Sequence, residues 1–222
     1  MLYKAKGVVF RFTRYGETSI IASVFTDQFG LQSYLVNGAR SKKASGRMAL
    51  FQPLTLLDLV VYHRENANIN RIKEVRCLHP YASVYRDVTK STVMMFLAEV
   101  LNRTVREESH AKDLCDFIIA SLITLDTMDG PVQNFHLIFL IKLSGFLGFG
   151  PQVKEDVLGL RITDPLIEGK LNVLLTADYR DAIAITNEQR REILDLLVRF
   201  YQEHSGFGGE IRSLPVLREL LK

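Results

Sequence analysis

Residues 3–37 read YKAKGVVFRFTRYGETSIIASVFTDQFGLQSYLVN, and this stretch decides the fold of the amino-terminal part of the chain. A turn at Tyr15-Gly16-Glu17 and a tight connection ending at Gly30 divide it, because glycine adopts positive φ without strain. The segments between these breaks are rich in Val, Ile, Phe and Tyr, which are typical of strands. The stretch therefore predicts three consecutive strands, at residues 3–12, 19–26 and 31–37.

Two more β-prone runs follow, at residues 54–62 and 69–77. Five short strands with turn signals between them are the expected content of a small β-barrel. Between the third and fourth strands lies the segment GARSKKASG, residues 38–46, which is small, polar and basic. We expect this segment to form a mobile surface loop.

After Pro80 the spacing of apolar residues becomes that of helices. Apolar faces predict helices around residues 93–105, 114–123 and 132–147. The capping-box sequence TNEQ at residues 186–189 begins another helix, and Ser213 is expected to cap a last one. The region 152–186 is ambiguous, and we expect short strands or irregular structure there.

These patterns predict an α+β protein. An amino-terminal barrel domain is expected at residues 1–80, followed by an α-helical domain at residues 81–222. Residues 152–186 are expected to form an irregular or hairpin insertion in the second domain.

The composition is that of an ordinary globular protein. The chain has 222 residues, with 28 lysines and arginines against 25 acids, and its longest apolar run, residues 93–98, has six residues. A membrane-spanning helix needs about 18 apolar residues, and the chain does not open on a signal-peptide pattern. Two cysteines, Cys77 and Cys115, cannot form a disulfide framework. We therefore expect a cytoplasmic protein with no membrane partner.

The small net charge of +3 hides an asymmetry between the two parts. Residues 1–80 carry 12 cations and 5 acids, whereas residues 81–222 carry 16 cations and 20 acids. A basic half indicates a polyanionic partner. Cations beside exposed rings hold single-stranded nucleic acid, since phosphates bind the cations and bases stack on the rings. The alternative is that the basic loop is an ordinary solvated segment and that Tyr15, Tyr34 and Tyr62 are packed strand residues.

Other kinds of site have little support. The five histidines are scattered without metal-ligand spacing, and neither cysteine lies in a context that would activate a nucleophile. Glycines 145, 148 and 150 follow a predicted helix rather than a strand, so we interpret them as a helix terminus rather than a phosphate-binding loop. The sequence therefore predicts neither a catalytic site nor a metal or other cofactor.

An ordered set of short motifs resembles the RecO family of bacterial recombination mediators. It comprises Arg14-Tyr15-Gly16-Glu17 followed by Ile20-Ile21, the segment 26–31 (TDQFGL), the segment 37–41 (NGARS) and the segment 50–54 (LFQPL). Residues 143–151 (LSGFLGFGP) and 211–214 (IRSL) resemble two segments of that family's helical domain. The resemblance runs along most of the chain.

The resemblance implies an OB-fold followed by an α-helical domain, and a non-enzymatic role in recombinational repair. It implies binding of single- and double-stranded DNA and annealing of complementary strands. It also implies recognition of the acidic, hydrophobic tail of single-strand-binding protein (SSB), and cooperation with RecR in loading recombinase onto SSB-coated DNA. Many relatives hold zinc with four cysteines in the later helical region. No Cys or His occurs at residues 152–186 here, so zinc is not carried over.

The motif match gives Arg14 and Arg40 as candidate DNA contacts. Arg14 has a structural alternative, an ion pair with Glu17. Charge and position add the remaining candidates, which are Lys4, Lys6, Arg11, Lys42, Lys43, Arg47 and Tyr34. For partner binding, the expected feature is a hydrophobic groove with cations at its rim, and the candidate rim residues are Arg103, Arg106 and Lys142.

Two other functions stay open at this point. One is an OB-fold accessory factor whose partner is RNA or another protein, which competition between matched DNA and RNA would separate. The other is an enzyme, which would require a deep pocket that holds titratable groups with perturbed pKa values.

Overall fold

The computed structural model describes residues 1–41, 46–64, 67–106, 111–159, 164–206 and 208–220. Contacts between residues divide the chain into two compact units. The barrel unit comprises residues 1–81 and 105–123, and the helical unit comprises residues 82–104 and 124–222. The domain boundary expected at residue 80 stays a prediction.

Five strands form a closed barrel in the order β1-β2-β3-β5-β4. All neighbours are antiparallel except β3 and β5, which are parallel. This arrangement is the OB-fold, so the predicted α+β class with an amino-terminal OB-fold is confirmed. The strands are β1 (Leu2–Tyr15), β2 (Ser19–Thr26), β3 (Gly30–Val36), β4 (Leu56–Tyr62) and β5 (Asn70–Cys77).

Alternation along the strands separates the core from the outer surface of the barrel. The inward positions of β2 (Ile20, Ala22 and Val24) are fully buried, and they pack with inward residues of β1, β3 and β4. In β1 the pairing register shifts between Val9 and Arg11. This bulge lets one long strand pair with β4 through its first half and with β2 through its second.

The basic loop after β3 is described only in part. Lys42 and Lys43 lie outside the described residues. At the end of the loop, Arg47–Phe51 form a 3-10 turn that buries Phe51.

The helix α2 (Ala111–Thr127) supplies most of its length to the barrel unit. Its Cys115 is fully buried, with Sγ 3.8 Å from the carbonyl oxygen of Phe25 and 4.0 Å from that of Lys6. Burial raises the pKa of the Cys115 thiol. Cys115 is therefore a packed thiol, as its place beside an apolar helical face indicated.

The helical unit contains the other six helices of the described chain. The α3 helix is almost completely buried, as expected from its apolar run. The capping box at Thr186 and Gln189 forms as predicted, with the hydroxyl and the amide each bonding the other's backbone N–H. The helices are α1 (Val88–Thr104), α3 (Phe135–Phe146), α4 (Lys154–Leu158), α5 (Pro165–Thr176), α6 (Asn187–Ser205) and α7 (Leu214–Leu220).

The strands expected within residues 152–186 are a wrong prediction, because this region contains α4 and α5. Residues 177–186 contain neither helix nor strand, which agrees with the irregular structure expected as the alternative. Asp164 is the N-cap of α5, and Pro165 is its first residue. The Asp164 carboxylate accepts a hydrogen bond of 2.8 Å from the Leu166 backbone N–H, and proline is tolerated in the first helical turn. The buried face of α5 is Ile167, Leu171 and Leu174, which is helical spacing. Residues 160–163 lie outside the described chain.

Candidate nucleic-acid interface

Two of the motif segments meet at one end of the barrel. The backbone N–H of Arg40 donates to the carbonyl oxygen of Thr18 at 2.8 Å, and its guanidinium Nη1 donates to that of Gly16 at 3.2 Å. The segment after β3 is thereby attached to the turn between β1 and β2, which follows Arg14. The structure thus brings together the two candidate contacts that the motif match singled out.

Arg47 has a similar anchoring contact. Its Nη1 lies 3.4 Å from the carbonyl oxygen of Asn37, just after β3, and the Asn37 side chain lies 3.4 Å from Ser19 Oγ. Arg40 and Arg47 therefore hold loop backbone with part of each guanidinium. Because a guanidinium has five N–H donors, each can also bind a phosphate with the rest.

Arg11 and Arg14 are exposed on β1. Within the described part of the chain, neither forms an ion pair, so the alternative pairing of Arg14 with Glu17 is not formed there. Arg11 stands opposite Ser23, which in turn stands opposite Ser33, and Arg14 stands at the barrel end opposite Ile20. Arg11 and Arg14 thus both precede the turn that Arg40 holds, and they project from opposite faces of β1 because their positions differ by three residues.

Lys4 and Lys6 lie on a different part of the barrel surface. Lys6 is directly opposite Asp58, which is directly opposite Arg76. Lys4 is opposite Val60, which is opposite Glu74. Directly opposed side chains on one face interact, so the Asp58 carboxylate offsets the charge of Lys6, whereas the residue directly opposite Lys4 is the uncharged Val60. The barrel cations form two groups rather than one groove.

Tyr34 is a correction to the predicted interface. Its ring is fully buried in the barrel core, and burial raises the pKa of its hydroxyl far above the usual value. A ring without exposed surface cannot stack on a base. Tyr34 points inward because it occupies an inward position of β3, opposite Ala22.

The sequence analysis did not place Arg71 beside Tyr62, and together they are a further candidate for the interface. Arg71 on β5 is exposed and stands between Leu35 of β3 and Tyr62 of β4. Tyr62 is 46% exposed. The sequence shows each residue as a basic or aromatic strand position, but it does not show which strands are neighbours, and only the register places them side by side.

In the helical unit, Arg103 is a structural residue rather than a free rim cation. Its Nη2 donates to Glu99 Oε1 at 2.6 Å and to the carbonyl oxygen of Glu210 at 2.7 Å, while Nη1 donates to that of Gly208 at 3.2 Å. The Arg103 guanidinium therefore holds the segment before α7. We correct its assignment as a cation at the rim of a partner-binding groove.

The other two rim candidates differ from each other. Lys142 Nζ lies 3.7 Å from Asp178 Oδ1 and 5.7 Å from the centre of the Tyr179 ring, so a local ion pair and a cation–π contact already engage it. Arg106 is exposed and belongs by its contacts to the barrel unit. Their role in partner binding stays a prediction.

Glu99 organises the approach to α7. Its carboxylate accepts from the backbone N–H groups of Arg212 and Ser213, each at 2.9 Å, and from the Ser213 hydroxyl at 2.8 Å. The expected cap at Ser213 therefore works through Glu99, to which the hydroxyl donates. Burial would raise the pKa of Glu99, but these hydrogen bonds and that from Arg103 outweigh it, and the pKa lies below its usual 4.5.

A pH dependence follows from this lowered pKa. Glu99 contributes stability at neutral pH that is lost as the pH falls below about 4.5 through the folded-state pKa, because protonation removes a charge that four donors solvate. We expect Glu99→Gln to be destabilising at pH 7 and to approach the parent protein at low pH. Urea unfolding across pH 3–7 measures this difference, and Glu192→Gln on the exposed face of α6 is the control. A difference independent of pH would contradict the assignment.

Among the described residues, none of the helices has the length and apolar character needed to cross a membrane. Within the same ranges, no cluster of three or more His, Cys, Asp or Glu side chains is arranged to hold a metal ion.

Comparison with known proteins covers the whole chain. A family model described as recombination protein O N terminal matches residues 1–81, and one described as recombination protein O C terminal matches residues 85–167. A protein of Bacteroides fragilis named DNA repair protein RecO is 33% identical over 240 residues, covering 99% of both chains. Proteins of the same name from Flavobacterium psychrophilum and Flavobacterium johnsoniae are 32% and 33% identical, again over 99% of both chains.

Proposed function

Because the chain belongs to the RecO family of DNA repair proteins, we propose that it is a non-enzymatic recombination mediator. It binds single- and double-stranded DNA through the barrel and anneals complementary strands. It also helps to load recombinase onto single-stranded DNA coated with single-strand-binding protein.

One observation carries the DNA-binding part of this proposal. The segment containing Arg40 is fixed against the turn that follows Arg14, while Arg14 and Arg11 stay exposed beside it. Phosphates bind such a cluster because the cations release counterions from the nucleic acid. The Asp58 carboxylate directly opposite Lys6 makes that lysine a weaker candidate, and we place the main phosphate contacts at the Arg11–Arg14–Arg40 end.

The protein partners in this proposal are the acidic tail of SSB and RecR, and the proposed location is the bacterial cytoplasm, with the nucleoid as the site of action during repair. The family resemblance supports these partners. The rim residues first expected for the tail keep only Arg106 and Lys142 as candidates. Binding assays with SSB that lacks its last tail residues test this part, since tail-independent behaviour would contradict it.

The DNA-binding site has a direct test. We expect the double substitution Arg11→Gln and Arg14→Gln to weaken binding of both single-stranded and duplex DNA at least tenfold, about 1.4 kcal/mol. The slope of log affinity against log salt should also fall, by about 0.7 per lost phosphate contact on single strands. Fluorescence anisotropy in a salt titration measures both quantities.

The matched control is Arg199→Gln, an exposed arginine on α6 in the helical unit. It removes one cation while leaving the barrel unchanged, so DNA affinity should stay the same. Unaltered affinity in the double variant would contradict the proposed interface. Tighter binding of RNA than of DNA of matched length would instead favour the alternative function, an OB-fold accessory factor for RNA.

A further inference from the structure

A row of side chains crosses the outer surface of the barrel from β1 to β4. The pairing register places Thr13 opposite Ile21, Ile21 opposite Leu35, Leu35 opposite Arg71, and Arg71 opposite Tyr62. Five neighbouring strands are involved, so the row spans about 19 Å at a strand spacing of about 4.8 Å. We call these five residues the strand row.

The middle of the strand row is apolar. Ile21 and Leu35 are half-buried, although both occupy outward positions, so their side chains offer a low apolar floor. The next row along the strands is Arg11, Ser23 and Ser33, in which small hydroxyl side chains leave the floor accessible. In OB-folds generally, oligonucleotides lie across the face of strands two and three.

Tyr62 closes one end of the strand row. Its ring is 46% exposed, and the side chain directly opposite on β1 is Leu2, also 46% exposed. An exposed ring beside an exposed aliphatic side chain is a surface that a flat apolar group can cover.

Cations border the Tyr62 ring on both sides. Arg71 is its direct neighbour on β5, and Lys4 is the diagonal neighbour, two residues beyond Leu2 on β1. In the described chain Arg71 forms no ion pair. The acid on the same strand as Arg71, Glu74, stands opposite Val60, and its carboxylate lies 3.9 Å from Lys73 Nζ. A ring between two cations suits a base whose flanking phosphates lie on either side.

We propose that Tyr62 is a base-stacking subsite for single-stranded DNA, with Arg71 and Lys4 binding the phosphates beside the stacked base. This inference rests on the proposed DNA-binding function and adds the feature that distinguishes single strands from duplex. In a duplex both faces of an internal base are stacked within the helix, so the Tyr62 ring cannot cover them. The Arg11–Arg14–Arg40 end contacts phosphates of either form, whereas Tyr62 contacts only unpaired bases.

The test compares Tyr62→Leu with Tyr62→Phe. Stacking on one aromatic ring contributes about 1–3 kcal/mol per base, so Tyr62→Leu should weaken binding of an oligothymidylate of about 16 nucleotides by roughly 5- to 150-fold. Tyr62→Phe keeps the ring and should bind within about twofold of the parent protein. Duplex DNA of the same length should bind equally well to all three proteins.

The control is Tyr85→Leu, which removes a tyrosine that is 65% exposed in the helical unit and should change neither affinity. Thermal unfolding of each variant reports whether the barrel is intact, and Tyr62→Phe gives an answer even where Tyr62→Leu is destabilised. Unchanged single-strand affinity in Tyr62→Leu, or equal losses for single strands and duplex, would overturn the subsite. If the parent protein bound neither form of DNA, both the subsite and the proposed function would be overturned.

Discussion

Replacing Asp126 with Ala is expected to lower the free energy of unfolding of the helical unit by about 3–5 kcal/mol. The Asp126 side chain is 4% exposed. Its carboxylate accepts from three successive backbone N–H groups, those of Ala82, Ser83 and Val84, at 2.8–3.1 Å. Alanine would leave these three donors buried without their acceptor, at a cost of about 1–3 kcal/mol each when no water replaces it.

The cost is increased by a buried lysine that shares the same polar cluster. Lys90 is 5% exposed, and its ammonium donates to the Ser83 hydroxyl at 2.7 Å and to the carbonyl oxygens of Asp126 and Met128 at 3.1 and 2.6 Å. The Ser83 hydroxyl in turn bonds the backbone of Asp126. Removing the carboxylate leaves the ammonium charge buried without that compensating charge nearby.

A double-mutant cycle checks this explanation. If the buried ammonium accounts for part of the loss, adding Lys90→Met to Asp126→Ala should cost less than Lys90→Met costs alone, because residues of one polar cluster are energetically coupled. Urea unfolding followed by circular dichroism measures the four free energies. Asp126→Asn, which keeps one acceptor oxygen, should be intermediate. Additive losses across the cycle would contradict the coupling.

Gly150→Ala is expected to cost about 1–3 kcal/mol, the range for overpacking a rigid site. A Cβ atom at Gly150 would lie 2.6 Å from the Cα of Gly145 and 2.9 Å from its backbone nitrogen. Backbone atoms cannot rotate away as the end of a side chain can, so the turn after α3 would have to open. That turn is held by the Phe149 backbone N–H, which donates to the carbonyl oxygen of Ser144 at 3.0 Å.

Gly169→Ala is the matched control for this change. Gly169 lies inside α5, and a Cβ atom there would meet nothing within 4 Å. Alanine in a helix interior is more favourable than glycine by about 0.5–1 kcal/mol, so this variant should be slightly stabilised. Thermal unfolding of both variants measures the contrast. Equal stability of Gly150→Ala and the parent protein would show that Gly150 is not needed for close approach.

The Gly150 contact also explains the LSGFLGFGP segment. The sequence analysis interpreted its glycines as a helix terminus rather than a phosphate-binding loop, and the structure supplies the reason. Gly148 has a φ of 86°, in the left-handed region, and Gly150 packs directly on Gly145. Phe149 between them stacks on His204 with ring centres 5.7 Å apart. The segment is a packed turn in the helical unit, and its glycines are required by backbone geometry.

The exposure of the candidate DNA-binding residues could be predicted from the sequence only in part. Arg11 and Arg14 were found from charge and motif, and they are exposed. Tyr34 was chosen as a stacking ring because it is aromatic and lies near cations in the sequence, yet it is buried in the core. Tyr62 has the same composition signal and an outward position. Inward and outward positions alternate along a strand, so only the closed barrel distinguishes the two rings.

The helical unit shows the same division. The α6 capping box and the buried α3 were predicted because caps and apolar runs are local signals. Arg103 was assigned to a binding rim, but its partners Gly208 and Glu210 lie more than a hundred residues away in the chain. The Asp164-Pro165 pair is compatible with a turn and with the start of a helix. The helix α5 forms because it buries Ile167, Leu171 and Leu174 on one face.

By itself, the sequence determined the two-part α+β organisation, the five strands, the main helices and the basic character of the first eighty residues. These features depend on periodicity, caps and charge, which are properties of neighbouring residues. Only the tertiary structure decided which cations share a face of the barrel and which tyrosine rings are exposed. It also decided which charged side chains hold other segments of the chain in place. Those outcomes depend on strand register and on contacts between distant residues, because burial and electrostatic pairing are set by what the folded chain brings together.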